Sequence, residues 1–279
     1  MKLGYLLLFL SSSILAQINP PGGLKLTDSL FLDKTEVANI HWLEYEYYVK
    51  SDSSETFYNS ILPAQVVTEN YRPDYFRHPA YRYHPVVGIT YAQAREYCKW
   101  RTKMVNTKLS KENASYRVKY RLPSEHEWEI AARKLDSLDT SINIKPLVWE
   151  MIQAGDKRKV YSMYPDRDIK LKQLKKEIKE YAQGEHIPFV LSKEYPWFIT
   201  LEEQLPQGIN DPSYSFDLGY THLIGNVAEM VAEPGIVKGG SWRHKLSVSF
   251  PSKRIQTDPK KAYDWVGFRC IAEIVPIIL

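Results

Sequence analysis

The sequence has few of the residues that most often carry metal and redox chemistry. It contains only 2 cysteines and 7 histidines in 279 residues. The cysteines lack the spacing of zinc or iron–sulfur sites, and no two histidines are spaced to share one face of a helix. The 13 glycines form neither a phosphate-binding loop nor a Gly-x-Ser-x-Gly elbow. Metal-cluster proteins, P-loop nucleotide hydrolases and α/β-hydrolases are therefore excluded.

The charge of the chain also shows no strong bias. Its formal net charge is +4, too small by itself to indicate nucleic acid, whose binders concentrate basic residues on one face. With 44% hydrophobic and 25% charged residues, the chain can bury a sizeable core and does not have the composition of a disordered protein. We expect one domain over residues 17–279 and no nucleic acid partner.

The N-terminus carries the pattern of an export signal. Lys2 precedes an apolar run over 6–10, and small residues then lead to Ala16. The alternative is a transmembrane anchor, but the run is well short of the ~20 residues that a spanning helix needs. No cysteine follows the run, so lipidation is not expected there. We predict a signal peptide over 1–16 and a periplasmic or outer-membrane-associated protein that reaches membranes only through partners.

Local patterns predict several elements of secondary structure. A short strand is expected through Leu30–Leu32, followed by a helix that opens at 35–39 and runs to about Val49. Its predicted buried stripe, at near-helical spacing, is Val37, Ile40, Leu43 and Tyr47. Capping boxes at Thr90–Gln93 and Ser124–Glu127 predict two further helix starts.

The segment from 63 to 85 is rich in aromatic and basic residues. Tyr75, Tyr81 and Tyr83 alternate with Arg77 and Arg82. Such a series can stack on a sugar or a base. The alternative is a long ordered loop whose rings pack on the core.

A Lys-rich amphipathic helix is predicted at about 166–184. Its apolar face would hold Leu171, Leu174, Ile178 and Tyr181, and lysines cover the remainder. Such a helix can contact an anionic membrane or a partner, or can simply be a solvated face. The predicted partner-binding residues are Lys172, Lys175, Lys176 and Lys179.

Three segments together resemble the formylglycine-generating enzyme (sulfatase-modifying factor) family. They are Val86–Trp100 with Tyr120–Arg133, then Ile224–Met230, then Val237–Trp242 with Val266–Cys270. The resemblance implies an α+β fold, related to C-type lectin folds and low in regular secondary structure, over about 24–275. The stretch Arg77-His78-Pro79-Ala80-Tyr81 further resembles the gliding-motility and type IX secretion lipoproteins GldK and GldJ.

The resemblance also implies where chemistry would occur. Oxidising members of the family hold copper with two cysteines just after the Gly-Gly-Ser stretch. Aligning that stretch puts His244 and Ser249 at these positions, and a neutral hydroxyl is a poor ligand for Cu(I). We therefore expect no copper and no catalytic residue of the known type.

Two further sites follow from the resemblance. A calcium site would use the main-chain carbonyls of Ile224 and Val227 with the side chains of Asn226 and Glu229; alternatively, Asn226 caps a turn and Glu229 pairs with an arginine. Cys98 and Cys270 match residues that are bridged in exported members. Such a bridge would close a loop of about 170 residues and stabilise the fold by roughly 4–5 kcal/mol, whereas the alternative is two buried free thiols.

The sequence thus predicts an exported, non-catalytic scaffold or binding protein in a cell-envelope complex, such as an outer-membrane secretion or assembly complex. One alternative is an oxidoreductase of the same superfamily with a different reaction. Another is a glycan-binding module, which would use the aromatic segment. Copper binding with oxygen uptake would favour the enzyme, and binding to glycans would favour the module.

Overall fold

The computed structural model of the protein describes residues 20–65, 74–133, 208–209, 219–241, 244, 249 and 251–277. They form an α+β fold in which helices pack against two four-stranded sheets. No helix in these ranges is both long and apolar enough to cross a membrane. The predicted signal peptide and the predicted Lys-rich helix lie outside the described residues.

Four α-helices are described. They are α1 (Asn39–Asp52), α2 (Glu55–Ile61), α3 (Tyr91–Lys111) and α4 (Glu125–Ala132), and a short 3-10 helix spans Pro79–Tyr81.

Capping boxes begin α3 and α4, as predicted. The Thr90 amide donates to Gln93 Oε1 at 2.7 Å, and the Ser124 amide donates to Glu127 Oε2 at 2.7 Å. These contacts satisfy main-chain groups that the first turn of a helix leaves unpaired.

The first sheet joins the two ends of the described chain. Its strands are β1 (Gly23–Lys25), β2 (Leu30–Asp33), β3 (Tyr116–Arg121) and β8 (Ile271–Pro276), in the order β1-β2-β8-β3. All three pairings are antiparallel. The predicted strand through Leu30–Leu32 is therefore confirmed as β2.

The second sheet holds the motifs near the C-terminus. Its strands are β4 (Ala228–Met230), β5 (Ile236–Lys238), β6 (Ile255–Gln256) and β7 (Val266–Gly267), in the order β6-β5-β4-β7. The pairing of β4 with β7 is parallel, and the other two are antiparallel. Glu229 consequently lies opposite both Lys238 and Gly267.

Aromatic rings fill the core between α1, α3 and the strand ends. Trp42 stacks on Tyr97 with centroids 5.5 Å apart and meets Phe268 edge-on at 6.1 Å. The Trp42 indole donates to the Ile61 carbonyl at 3.2 Å, so its polar atom is also satisfied. Offset and edge-on contacts of this kind are the favoured geometries of aromatic pairs.

The predicted buried stripe of α1 is correct for Val37 and Leu43, which pack in or against the core, and wrong for Tyr47. The helix begins at Asn39, and its buried apolar residues are Trp42, Tyr45 and Val49, whereas Tyr47 is 73% exposed. Val37 is buried, but it precedes the helix and exchanges main-chain hydrogen bonds with Phe268 and Val86. Trp42 and Tyr45 instead pack against the rings of Tyr97 and Phe268, and burying these large apolar rings determines which face points inward.

The aromatic segment packs mostly on the core. Tyr75 is fully buried, its hydroxyl donates to the Pro85 carbonyl at 2.8 Å, and Tyr81 stacks on its ring. Phe76 is buried as well, and Tyr83 remains 45% exposed. This arrangement favours the interpretation as an ordered loop over that as a stacking surface for sugars.

Candidate functional site

The Gly239–Ser241 turn is shaped by a close approach of the chain to itself. Gly239 and Gly240 have φ angles of 80° and 67°, a region that favours glycine. A Cβ on Gly240 would lie 1.9 Å from Ser249 Oγ, and one on Gly239 would lie 2.5 Å from the Leu223 carbonyl oxygen. Two consecutive glycines are therefore needed for this turn to pack.

Ser249 and His244 take part in different contacts. Ser249 is fully buried against Gly240. His244 instead closes a turn with Ser241: its amide donates to the Ser241 carbonyl at 2.9 Å, and its Nδ1 lies 2.7 Å from Ser241 Oγ. The His244 ring also meets Trp265 edge-on at 4.7 Å. Ser241 was not among the predicted site residues, although Ser-x-x-His is the spacing of a single turn.

The contact between Ser241 and His244 has the geometry of a nucleophile and its base. Attack on a substrate also requires access, and Ser241 is fully buried. In this conformation the pair therefore supports the turn.

Glu229 is held in a buried ion pair. Its Oε1 accepts from Arg269 Nη2 at 2.5 Å, and its Oε2 accepts from Arg269 Nε and from the Trp128 indole, both at 2.7 Å. Arg269 also donates to the main-chain carbonyls of Asp33, Lys34 and Thr221. Both residues are fully buried. Through charge-assisted hydrogen bonds, the pair therefore ties β4, which carries Glu229, to the segments that contain these three carbonyls.

Glu36 lies in the same buried region but is less well satisfied. Its Oε1 accepts from Asn226 Nδ2 at 2.8 Å, whereas its Oε2 makes no hydrogen bond within the described structure. Burial raises the pKa of Glu36 to about 7, although the Arg269 charge opposes that shift. Near neutral pH this carboxyl group is therefore poised between its two protonation states.

A second charged network, which the sequence did not reveal, lies just before the Gly239–Ser241 turn. The fully buried Lys238 reaches Glu125 Oε1 at 3.0 Å and Glu129 Oε1 at 2.7 Å. Arg254 also contacts Glu125, at 2.6 Å. The i, i+4 spacing of the two acids on α4 was the only sequence signal. This network ties β5 to α4.

Comparison with known proteins identifies the fold. The model of the sulfatase-modifying factor enzyme 1-like domain matches residues 9–274. The chain belongs to this family. Comparison with curated proteins gives no match.

Solved structures similar to this sulfatase-modifying factor domain include three at low sequence identity. PvdO from Pseudomonas aeruginosa is 16% identical, with a TM-score of 0.49 over 88% of this chain and 80% of that one. CarF is 15% identical, with a TM-score of 0.43 over 89% and 87%. Treponema denticola variable protein 1 is 15% identical, with a TM-score of 0.45 over 88% and 84%. The finer resemblance to GldK and GldJ stays a prediction.

Two of the predicted calcium ligands of this domain, Glu229 and Asn226, make hydrogen bonds within the fold. Calcium takes six to eight oxygen ligands, but Arg269 and Trp128 occupy both carboxylate oxygens of Glu229. Asn226 turns its amide nitrogen to Glu36. The described ranges contain no group of three or more His, Cys, Asp or Glu residues that could hold a metal ion. The geometry favours the alternative in which Glu229 pairs with an arginine, and calcium binding stays a prediction.

Cys98 and Cys270 are brought together in the core. Their sulfur atoms lie 3.6 Å apart, both residues are buried, and the structure has them as thiols. Burial, followed by the contact with Cys270, raises the pKa of Cys98, so it is a poor nucleophile. A disulfide requires about 2.05 Å between the sulfurs, and its formation in the mature protein stays a prediction.

The predicted partner-binding lysines, Lys172, Lys175, Lys176 and Lys179, lie outside the described residues.

Proposed function

We propose that this sulfatase-modifying factor domain is an exported, non-catalytic scaffold or binding protein of the cell envelope, within an outer-membrane secretion or assembly complex. The observation that carries the proposal is the state of the two positions that align with copper-binding cysteines. The buried Ser249 side chain packs directly against Gly240. His244 contacts Ser241 through Nδ1 and packs on the Trp265 ring.

Two features of these positions argue against metal chemistry of the known type. Cu(I) favours soft thiolate ligands, whereas the side chains present are a hydroxyl and an imidazole. The two groups also belong to different local contacts, because Ser249 packs at Gly240 while the His244 Nδ1 atom is engaged by Ser241. A two-ligand site would require this turn to be rebuilt.

The charged groups nearby also support a structural role. Glu229 with Arg269, and Lys238 with Glu125 and Glu129, link separate parts of the chain. Buried charges that are paired and hydrogen-bonded typically hold a fold in a specific arrangement.

Peptide oxidation tests the absence of catalysis directly. The purified protein, supplied with copper and oxygen, is incubated with a Cys-x-Pro-x-Arg peptide, and the peptide mass is followed. We expect no change in mass. Loss of the thiol with formation of an aldehyde would refute the proposal.

Recovery of partners from native membranes in mild detergent tests the scaffold role. We expect an envelope complex to co-purify with the wild type and with the double variant His244→Ala/Ser249→Ala. Reversing charge at Lys172, Lys175, Lys176 and Lys179 to Glu should abolish recovery, because a charge-steered contact is directly opposed. Loss of cellular function in the double alanine variant alone would refute the scaffold proposal.

The runner-up is an enzyme of the same superfamily with a different reaction. The specific observation in its favour is the 2.7 Å contact between Ser241 Oγ and His244 Nδ1. Because this alternative is an oxidoreductase, copper binding with oxygen uptake by the wild type, lost in His244→Ala, would support it.

A further inference from the structure

The guanidinium group of Arg269 lies in a cage of oxygen atoms. Its Nε and Nη2 donate to the two carboxylate oxygens of Glu229 at 2.7 and 2.5 Å, and Nη2 also donates to the Thr221 carbonyl at 2.8 Å. Its Nη1 donates to the carbonyls of Asp33 and Lys34 at 3.0 and 3.1 Å. These contacts use all the N–H groups that an arginine side chain has.

The cage has the composition of a site for a hard cation. One carboxylate and three main-chain carbonyls surround the guanidinium, and these are the oxygen ligands that calcium takes in proteins. Arg269 and Glu229 are both fully buried, so their charges compensate each other away from solvent. A cation is therefore already built into this part of the fold.

The main chain on both sides of Arg269 is fixed to the start of the domain. The Cys270 amide donates to Asp33 Oδ2 at 3.1 Å, and the Cys270 carbonyl accepts from the Asp33 amide at 2.9 Å. The Phe268 carbonyl accepts from the Val37 amide at 2.9 Å. The guanidinium is thus held in the cage by its neighbours, an arrangement that lowers the entropic cost of its contacts.

The 224–229 loop, which would supply the predicted calcium ligands, is also anchored within the protein. The Gly225 amide donates to the Gly239 carbonyl at 2.9 Å, and the Ala228 amide donates to the Trp265 carbonyl at 2.9 Å. Both ends of the loop are therefore held by main-chain hydrogen bonds.

Calcium at Glu229 would have to compete with Arg269. Binding the ion beside the existing pair would bring two further positive charges close to a buried guanidinium, and like charges repel strongly in a buried environment. Releasing Glu229 from Arg269 would instead leave the guanidinium buried without its counter-ion, which is strongly destabilising.

We propose that Arg269 is the resident cation of this site and takes the place of the calcium ion that the family resemblance implies, so that the 224–229 loop keeps its structure without calcium. The inference concerns a different site from the positions that align with the copper-binding cysteines and does not depend on the proposed scaffold role.

Thermal unfolding with and without calcium tests the loop. The wild type is compared with Asn226→Gly, which removes a predicted ligand and suits the φ angle of 56° at this position. Between about 1 mM EDTA and about 10 mM calcium, we expect the midpoints of both proteins to change equally, within about 1 °C. A loop site with a Kd of about 1 mM would raise the midpoint of the wild type alone by about 3–6 °C. That result would overturn the proposal.

Chemical rescue tests whether the cage is built for a guanidinium. Arg269→Ala removes the part of the side chain that corresponds to ethylguanidinium, so this ion is added at about 50 mM, with ethylammonium as the control that lacks the planar fork. For a Kd of about 10 mM, ethylguanidinium should raise the midpoint of Arg269→Ala by about 2–4 °C relative to the wild type. Ethylammonium should give less than about half of this rise.

A matched variant controls for general effects of the added ions. Arg254→Ala shortens an exposed guanidinium and should respond to ethylguanidinium as the wild type does. Equal effects of the two ions on Arg269→Ala would overturn the proposal. So would the absence of any rise in its midpoint or of any recovery of its folding, and this outcome decides the question even where Asn226→Gly does not fold.

Discussion

The Gly239–Ser241 turn and the packing of α1 against α3 differ in how fully their buried polar groups are satisfied. Around the turn, Ser241, His244 and Lys238 all have close partners at normal hydrogen-bond distances. Near β2, α1 and α3, Glu36 and Trp100 each have one buried polar atom that makes no hydrogen bond to the described residues. Among the described residues, the polar groups of the turn are therefore paired within the fold, whereas buried polar atoms without a hydrogen bond occur elsewhere.

The buried acids Glu229 and Glu36 show the same contrast at the level of single carboxyl groups. Glu229 receives three hydrogen bonds from cationic or indole donors, whereas Glu36 receives one from an amide. A satisfied buried charge stabilises the arrangement around it, while a partly satisfied one is sensitive to pH and to ligands. Four predictions test this difference, beginning with the largest effect.

Removing the cation of the satisfied pair should have the largest effect. Arg269→Met leaves Glu229 buried without its partner and should lower the free energy of unfolding by about 3–5 kcal/mol. Denaturant titration measures this change. Arg254→Met removes an exposed guanidinium that contacts Glu125 and should lower it far less, because exposed ion pairs contribute little to stability. Similar losses in both variants would show that the buried ion pair contributes no more to stability than the exposed one.

Glu36 should make stability fall as pH rises. Its folded pKa of about 7 lies above the usual glutamate pKa of 4.5, so the folded state binds the proton more tightly over that interval. The free energy of unfolding should therefore fall between about pH 4.5 and pH 7, by about 3 kcal/mol at most. Glu36→Gln stays neutral and should lack this decline in a series of denaturant titrations. An unchanged pH profile in Glu36→Gln would contradict the assignment.

A side chain at position 240 should destabilise the Gly239–Ser241 turn. Gly240→Ala places a Cβ 1.9 Å from Ser249 Oγ at a positive φ angle, and overpacking of this kind costs about 1–3 kcal/mol. Gly208→Ala is the matched control, because the nearest atom to its Cβ would lie at 3.8 Å. The two variants are compared by thermal unfolding. Equal midpoints would show that the turn can relax freely.

Removing the Ser241 hydroxyl should have the smallest effect on stability. Ser241→Ala removes the hydrogen bond to His244 and should cost about 1 kcal/mol. Ser252→Ala, at an exposed position, should cost less than about 0.5 kcal/mol. A Ser241→Ala variant as stable as its control would mean that the contact contributes nothing to folding and would reopen the question of a catalytic role.

Sequence reasoning succeeded where the partners are close in the chain. The capping boxes at Thr90 and Ser124 each involve residues three positions apart, so their pattern alone determines the contact. The strand at Leu30 was also identified correctly, as were the family and the α+β fold.

Contacts between residues far apart in the sequence could not be predicted in this way. The buried face of α1 depends on Phe268 and Tyr97, far away in the sequence, so periodicity placed Tyr47 inside when it lies outside. Lys238 gave no local sign of its contacts with α4, more than a hundred residues earlier. One prediction was that Glu229 pairs with an arginine, but the sequence could not show that this arginine is Arg269.

The position of β8 has a consequence for the order of folding. β8 lies between β2 and β3 and pairs with both, so until residues 271–276 are available β2 has only β1 as a partner and β3 has no partner strand in the described sheet. Pairings between strands so distant in sequence form slowly, because a long loop must close first. We therefore expect the β1–β2 hairpin to present an open edge during synthesis and any translocation, and the first sheet to assemble only as a late step once β8 inserts.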